Sequence, residues 1–325
     1  MTRYCKTPSA LTYGITVLLT LFGFHAMAQR STEPSPCYDA NDPRDLRLWD
    51  GNAPGAVGAD PCRDIPFLRI YRPKGAAPAT DTGMIVMPGG GYDRLTDTKE
   101  QSPVGRYFAD QVGITTFVLY YRLVQPNGNY RYPVPMWDGQ RAIRLVRSRA
   151  AQFGVDPRRI GVFGFSAGGH LASTIAIHFA NNFDLPSVDA VDRTDARPSF
   201  LGLGYPVISM DPNQYASPSS LGHLLDGYAG AQRDQLETYL SGQKEVKAST
   251  PPTFLFESLD DKRISPENST LFAQALQAAR VRNDVHMFQH GLHGAGLAVD
   301  QPEESVWPSL FLHWLEEQGF LAKRR

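Results

Sequence analysis

Residues 161–172 read GVFGFSAGGHLA and set Ser166 between Gly164 and Gly168. After a strand and before a helix, G-x-S-x-G presents a serine hydroxyl as a nucleophile, because the turn strains the serine backbone and strand and helix approach too closely for larger neighbours. The flanking residues predict that setting. Ile160–Phe163 is an apolar strand, and Leu171, Ile175 and Phe179 recur at helical spacing after the serine. A neutral serine is a weak nucleophile, so acyl transfer also needs a base, an acid to orient it, and donors for the oxyanion.

Each part has a candidate. Pro88-Gly-Gly-Gly-Tyr92 follows the apolar run 83–87. Its glycines let the Gly90 and Gly91 amides turn inward, so these two, with the Ala167 amide after the nucleophile, are the predicted oxyanion donors. For the base, His293 lies in the turn-rich Gly291-Leu-His-Gly-Ala-Gly296, after the last strand. His290 is its nearest competitor, and His286 falls inside a strand. His170, His178, His223 and His313 read as structural or surface residues. For the acid, Asp260 and Asp261 follow the run 253–256, at a strand end where such crevices form. One of the two must fix the imidazole tautomer, and spacing barely separates them.

These residues need a frame that brings positions 90, 166, 261 and 293 together. Apolar runs at 67–71, 83–87, 114–120, 160–163, 201–205, 253–256 and 285–288 read as strands, several buried on both faces. Between them, Ile143, Val146, Ala150 and Phe153 form one helical stripe; Phe272, Ala275, Leu276 and Ala279 form a second, and Val306, Leu310 and Trp314 a third. Strand–helix alternation predicts an α/β fold with a mostly parallel sheet covered on both faces. The irregular stretches 181–200 and 209–235 are the expected lids or substrate loops.

A chain of 325 residues with 42% hydrophobic and 20% charged residues can fill a sizeable core. A net charge of −1 gives no basis for binding nucleic acid or an anionic membrane. Residues 1–28 have the layout of a secretory signal: Arg3 and Lys6, an apolar run at 15–24, then Ala26-Met27-Ala28. That run is shorter than the roughly 20 residues a permanent anchor takes, so export to the periplasm or beyond is expected, with no stable membrane anchor. Removing the signal leaves Cys37 and Cys62 as an even pair in an oxidising compartment, the expected disulfide of a Pro- and Gly-rich arm over 29–64. Residues 65–325 are the expected catalytic domain. No metal-ligand spacing surrounds the cysteines, and the chemistry calls for no cofactor.

Several longer segments then carry a resemblance: PGGGY (88–92), GVDPRRIGVFGFSAGGHLAS (154–173), YPVISM (205–210), TPPTFLFESLDD (250–261), SPENS (265–269) and HGAGL (293–297). They resemble a bacterial group of secreted, carbohydrate-esterase-like α/β-hydrolases related to acetyl xylan esterases. The resemblance spans about residues 65–320. It implies Ser166 as nucleophile, His293 as base and Asp261, the second aspartate of the pair, as acid. Leu292 before the histidine, Arg263 and Ser265 after the aspartates, and Trp137-Asp138 depart from the group's usual pattern.

The expected reaction is removal of small acyl groups, acetyl foremost, from acylated plant polysaccharide or oligosaccharide. Other readings are a carboxylesterase or lipase on small lipidic esters, a serine peptidase, and a non-catalytic binding protein. Asp260 and Asp261 do not suggest glycoside hydrolysis, because adjacent residues of one loop cannot flank a sugar ring.

Overall fold

The computed structural model describes residues 1–2 and 37–322, apart from 76 and 97; the predicted signal therefore lies outside the described residues, save its first two. The strands are β1 (Asp45–Arg47), β2 (Phe67–Tyr71), β3 (Gly83–Met87), β4 (Thr115–Tyr120), β5 (Ile160–Phe165), β6 (Leu201–Gly204), β7 (Thr253–Ser258) and β8 (Asn283–Phe288). They form one sheet in the order β1-β2-β4-β3-β5-β6-β7-β8. β1 and β2 pair antiparallel to their neighbours, and every pairing from β4 through β8 is parallel. The run 83–87 is continuously apolar because β3 is buried along its whole length.

Helices close both faces. In chain order they are α1 (Ser102–Arg106), continued by a π-helical turn over Tyr107–Val112, then α2 (Val134–Ser148), α3 (Ala150–Phe153) and α4 (Ser166–Ile177). α5 (Pro218–Leu224), α6 (Gly230–Tyr239), α7 (Gly242–Glu245), α8 (Glu267–Ala278) and α9 (Trp307–Glu317) follow. α2 and α4 pack together on one face. On the other, the α9 rings of Trp307 and Phe311 meet Phe108 as well as Phe163 of β5 and Phe254 and Phe256 of β7.

The sequence pattern needs correction in four places. The stripe from Ile143 to Phe153 is broken at Arg149, which leaves the helical region and separates α2 from α3. Phe179 lies beyond the end of α4. The third stripe is displaced: α9 starts at Trp307, and it buries Trp307, Phe311, Leu312, Trp314 and Leu315, while Val306 is exposed. The aromatic cluster under the sheet sets that register. The stretch 209–235, expected to be irregular, instead holds α5 and most of α6.

The arm also does more than its composition promised. β1 extends the sheet, and Leu48, Trp49 and Ala53 join the core. Buried ion pairs fix it from behind: Arg69 binds Asp45 at 2.7 Å, and Arg122 binds Asp138 of α2 at 2.7 Å while donating to the Pro54 carbonyl at 2.7 Å. Removing one partner of such a pair would strand a buried charge. The expected disulfide joins Cys37 to Cys62.

Candidate active site

β5 ends at Phe165 and α4 begins at Ser166, whose φ of 51° is the left-handed conformation that side-chain-bearing residues avoid. The neighbouring glycines explain how the chain turns so sharply. A Cβ on Gly164 would stand 2.2 Å from the Gly168 carbonyl oxygen, and one on Gly168 would stand 2.1 Å from that of Met87. Parallel pairing sets Met87 beside Gly164, so the Gly-rich loop leaving β3 emerges next to the serine.

The same logic works at the other edge. β7 and β8 pair in register to Ser258 and Phe288, and Leu259 donates to the Phe288 carbonyl at 2.8 Å. The loops carrying the aspartates and the histidines therefore leave the sheet side by side. His293 Nδ1 lies 2.7 Å from Asp261 Oδ2, and its Nε2 lies 2.9 Å from Ser166 Oγ. With Nδ1–H donated to the carboxylate, Nε2 is left to accept the serine proton. The other Asp261 oxygen accepts from the Arg263 and Ile264 amides at 2.7 and 3.0 Å. Burial works against the Asp261 charge, but the His293 contact and these amides outweigh it and hold the carboxyl below its ordinary range.

Asp260 is occupied differently. It accepts from His290 Nδ1 and from the Gly291 amide, both at 3.0 Å, on the exposed side of the loop. Two Asp–His pairs thus stand next to each other, and only Asp261–His293 reaches Ser166. His286 stays on β8, 3.2 Å from Asp284.

Of the predicted oxyanion donors, Ala167 is the second residue of α4, in the first turn where amides have no intrahelical acceptor. Gly90 and Gly91 take φ values of 127° and 66°. Their amides donate to no acceptor among the described residues, whereas the Gly89 amide is taken by Glu100 Oε2 at 2.7 Å. Tyr92 plugs the end of the loop, fully buried, with its hydroxyl 2.7 Å from His170 Nδ1. His170 Nε2 faces the Leu240 carbonyl at 2.8 Å and must donate to it, so Nδ1 accepts from Tyr92. Burial lowers the His170 pKa to about 4, which keeps the ring neutral.

Three residues near the site had no assigned part in the sequence reading. Glu100 is buried, and besides Gly89 it accepts from the Tyr205 hydroxyl at 2.9 Å. The Tyr205 oxygen accepts in turn from the Gly296 amide at 2.9 Å, and its ring lies 4.9 Å from that of His293. Burial raises the Glu100 pKa against these hydrogen bonds. His223, read as structural or surface, donates from Nδ1 to the Gly91 carbonyl at 2.9 Å and so helps orient the peptide behind that loop. A glutamate in a polar stretch before α1 carries no periodic signal, and the YPVISM segment marks Tyr205 without giving its partner.

The BD-FAE family model matches residues 68–276. Endo-1,4-beta-xylanase B of Butyrivibrio fibrisolvens is 31% identical over 223 residues, 67% of this chain and 33% of that protein. Acetylxylan esterase of Xylanibacter ruminicola is 31% identical over 218 residues, 66% of this chain and 41% of that protein. The chain thus spans well under half the length of these curated relatives. Among solved structures, an acetyl ester-xyloside bifunctional hydrolase from Caldicellulosiruptor lactoaceticus superposes with a TM-score of 0.75 at 39% identity, covering 86% of this chain and 97% of that one. A carboxylesterase from Lactobacillus plantarum WCFS1 gives 0.65 at 25% identity, covering 86% and 99%. The fold is that of the α/β-hydrolases. The family match takes in β3, the serine turn and the aspartate loop, and this chain belongs to the BD-FAE family.

Proposed function

We infer that the protein is a serine esterase that removes small acyl groups, acetyl foremost, from plant polysaccharide or oligosaccharide. The observation that carries the reading is His293 bridging Ser166 and Asp261 at 2.9 and 2.7 Å. Ser166 Oγ attacks the ester carbonyl carbon as its proton passes to His293 Nε2, and Asp261 stabilises the imidazolium. The free amides of Gly90 and Gly91, with that of Ala167, receive the negative oxygen of the tetrahedral intermediate. Collapse expels the sugar alcohol, which takes the proton from His293. Water, deprotonated by the same ring, then hydrolyses the acyl-enzyme and frees the carboxylic acid.

The relatives named for acetylated xylan and xyloside support the substrate class. Glycoside cleavage by Asp260 and Asp261 is disfavoured, since each already serves a neighbouring histidine. Residues 1–28 are read as the export signal, so N-terminal sequencing of the exported protein should begin at Gln29.

Acetate release from acetylated xylan, beside turnover of p-nitrophenyl acetate, tests the reading. Wild type should act on both, and Ser166→Ala should lose on the order of 10⁴-fold or more on each. Turnover of the small ester alone would move the substrate to small lipidic esters. Inactivity on both, with no labelling by a serine-directed phosphonate, would leave a binding protein.

A further inference from the structure

A cavity opens beyond the end of α4 opposite the serine turn. It has a volume of about 620 Å³.

The 620 Å³ cavity is walled by the rings of Tyr132, Trp137, Phe183, Tyr228 and Tyr239. α4 carries Ser166 as its first residue and ends at Ile177, shortly before Phe183 and Asp184 of the wall. Twelve helical residues put about 18 Å between the two ends. Tyr132 contacts Phe183 and Tyr228 edge to face, with centroids 6.4 and 6.3 Å apart, and Phe183 meets Tyr239 the same way at 6.4 Å. The Trp137 indole donates to the Phe183 carbonyl at 2.8 Å, which gives a place to the tryptophan that departs from the group's usual pattern.

Polar groups stand at the same cavity with capacity to spare. The side chains of Asp184, Gln232 and Gln235 line it and make no hydrogen bond among the described residues. Phe183 and Asp184 both take left-handed φ, 53° and 55°, an uncommon state for two successive residues with side chains. The Asn181 side chain accepts from the Phe183 amide at 2.7 Å, and that of Asn182 from the Asp184 amide at 3.2 Å.

We propose that this cavity is an accessory binding site for a neutral glycan chain, the unreacted part of a polymeric substrate. This rests on the polysaccharide reading above. Aromatic walls match the C–H faces of a sugar ring, while a carboxylate and two carboxamides supply acceptors and donors for its hydroxyls. One acidic and no basic lining residue oppose an anionic chain. α5 connects the two places: the Tyr132 amide donates to the Leu224 carbonyl at 3.0 Å, and adjacent His223 donates to Gly91.

Affinity electrophoresis of the full-length Ser166→Ala protein through deacetylated xylan tests the site. The xylan should retard it, and Gln232→Ala/Gln235→Ala, two exposed changes on α6, should weaken that binding about tenfold. In the Ser166 enzyme the same pair should leave p-nitrophenyl acetate turnover within about twofold and lower kcat/KM on acetylated xylan about tenfold. No retardation, or retardation unchanged in the double variant, overturns the site even if acetate is released from the polymer. Retardation lost in the double variant, with no acetate release by wild type, upholds the site and removes the substrate reading instead.

Discussion

Glu100 and Tyr205, 105 residues apart, share a 2.9 Å hydrogen bond that links the loop after β3 to the loop carrying His293. The glutamate holds the Gly89 amide, and the tyrosine oxygen accepts from the Gly296 amide. Tyr205→Phe leaves Glu100 and Gly296 each short of a partner, which should cost about 1–3 kcal/mol in denaturant unfolding. Because it loosens both loops, kcat on p-nitrophenyl acetate should fall about tenfold with KM within about twofold. An unchanged kcat would show that the two loops hold their places without this bond.

The acid assignment separates on a pair of isosteric changes. Asp261→Asn cannot hold the His293 tautomer that leaves Nε2 free, so kcat should fall on the order of 10³–10⁴-fold. Asp260→Asn touches only His290 and Gly291 and should cost less than about tenfold. Equal losses would argue against Asp261 as the acid.

Gly168→Ala tests the steric account of the serine turn. The new methyl would meet the Met87 and Pro88 carbonyl oxygens at 2.1 and 2.5 Å, both backbone atoms that cannot rotate away. The variant should lose about 3 kcal/mol or more of stability, along with esterase turnover. A melting temperature matching wild type would disprove the close approach.

Glu304 gives a pH dependence with a defined sign. Burial, then the charges of Asp261 and Asp260, raise its pKa from the ordinary 4.5 to about 7. Between those values the folded protein keeps a proton that the unfolded chain has released, so this residue makes stability fall as pH rises. Glu304→Gln removes the effect. Its melting temperature relative to wild type should climb from pH 4.5 to just above 7, and a flat difference across that window would contradict the shift.

The local pattern was legible because it is written in neighbouring residues. Apolar runs and small residues around Ser166 predicted the strand, the turn and the helix, and the φ of 51° at Ser166 agrees. Alternating strands and helices predicted the mostly parallel sheet. Helical register was less secure: the spacing places Val306 with Trp314 in the core, but the ring cluster at Trp307 and Phe311 leaves Val306 exposed while Trp314 stays buried.

By itself, then, the sequence determined the fold class, the serine turn, the glycine loop and a short set of candidate acids and bases, all from local spacing and a family resemblance. The tertiary structure decided which members meet. Asp260 and Asp261 are adjacent in the chain, yet one turns to His290 at 3.0 Å and the other to His293 at 2.7 Å. It also joined Glu100 to Tyr205 and gathered five rings around one cavity. Such pairings depend on the parallel register of β3 with β5 and of β7 with β8, which is fixed by packing between distant segments and leaves no mark on either segment alone.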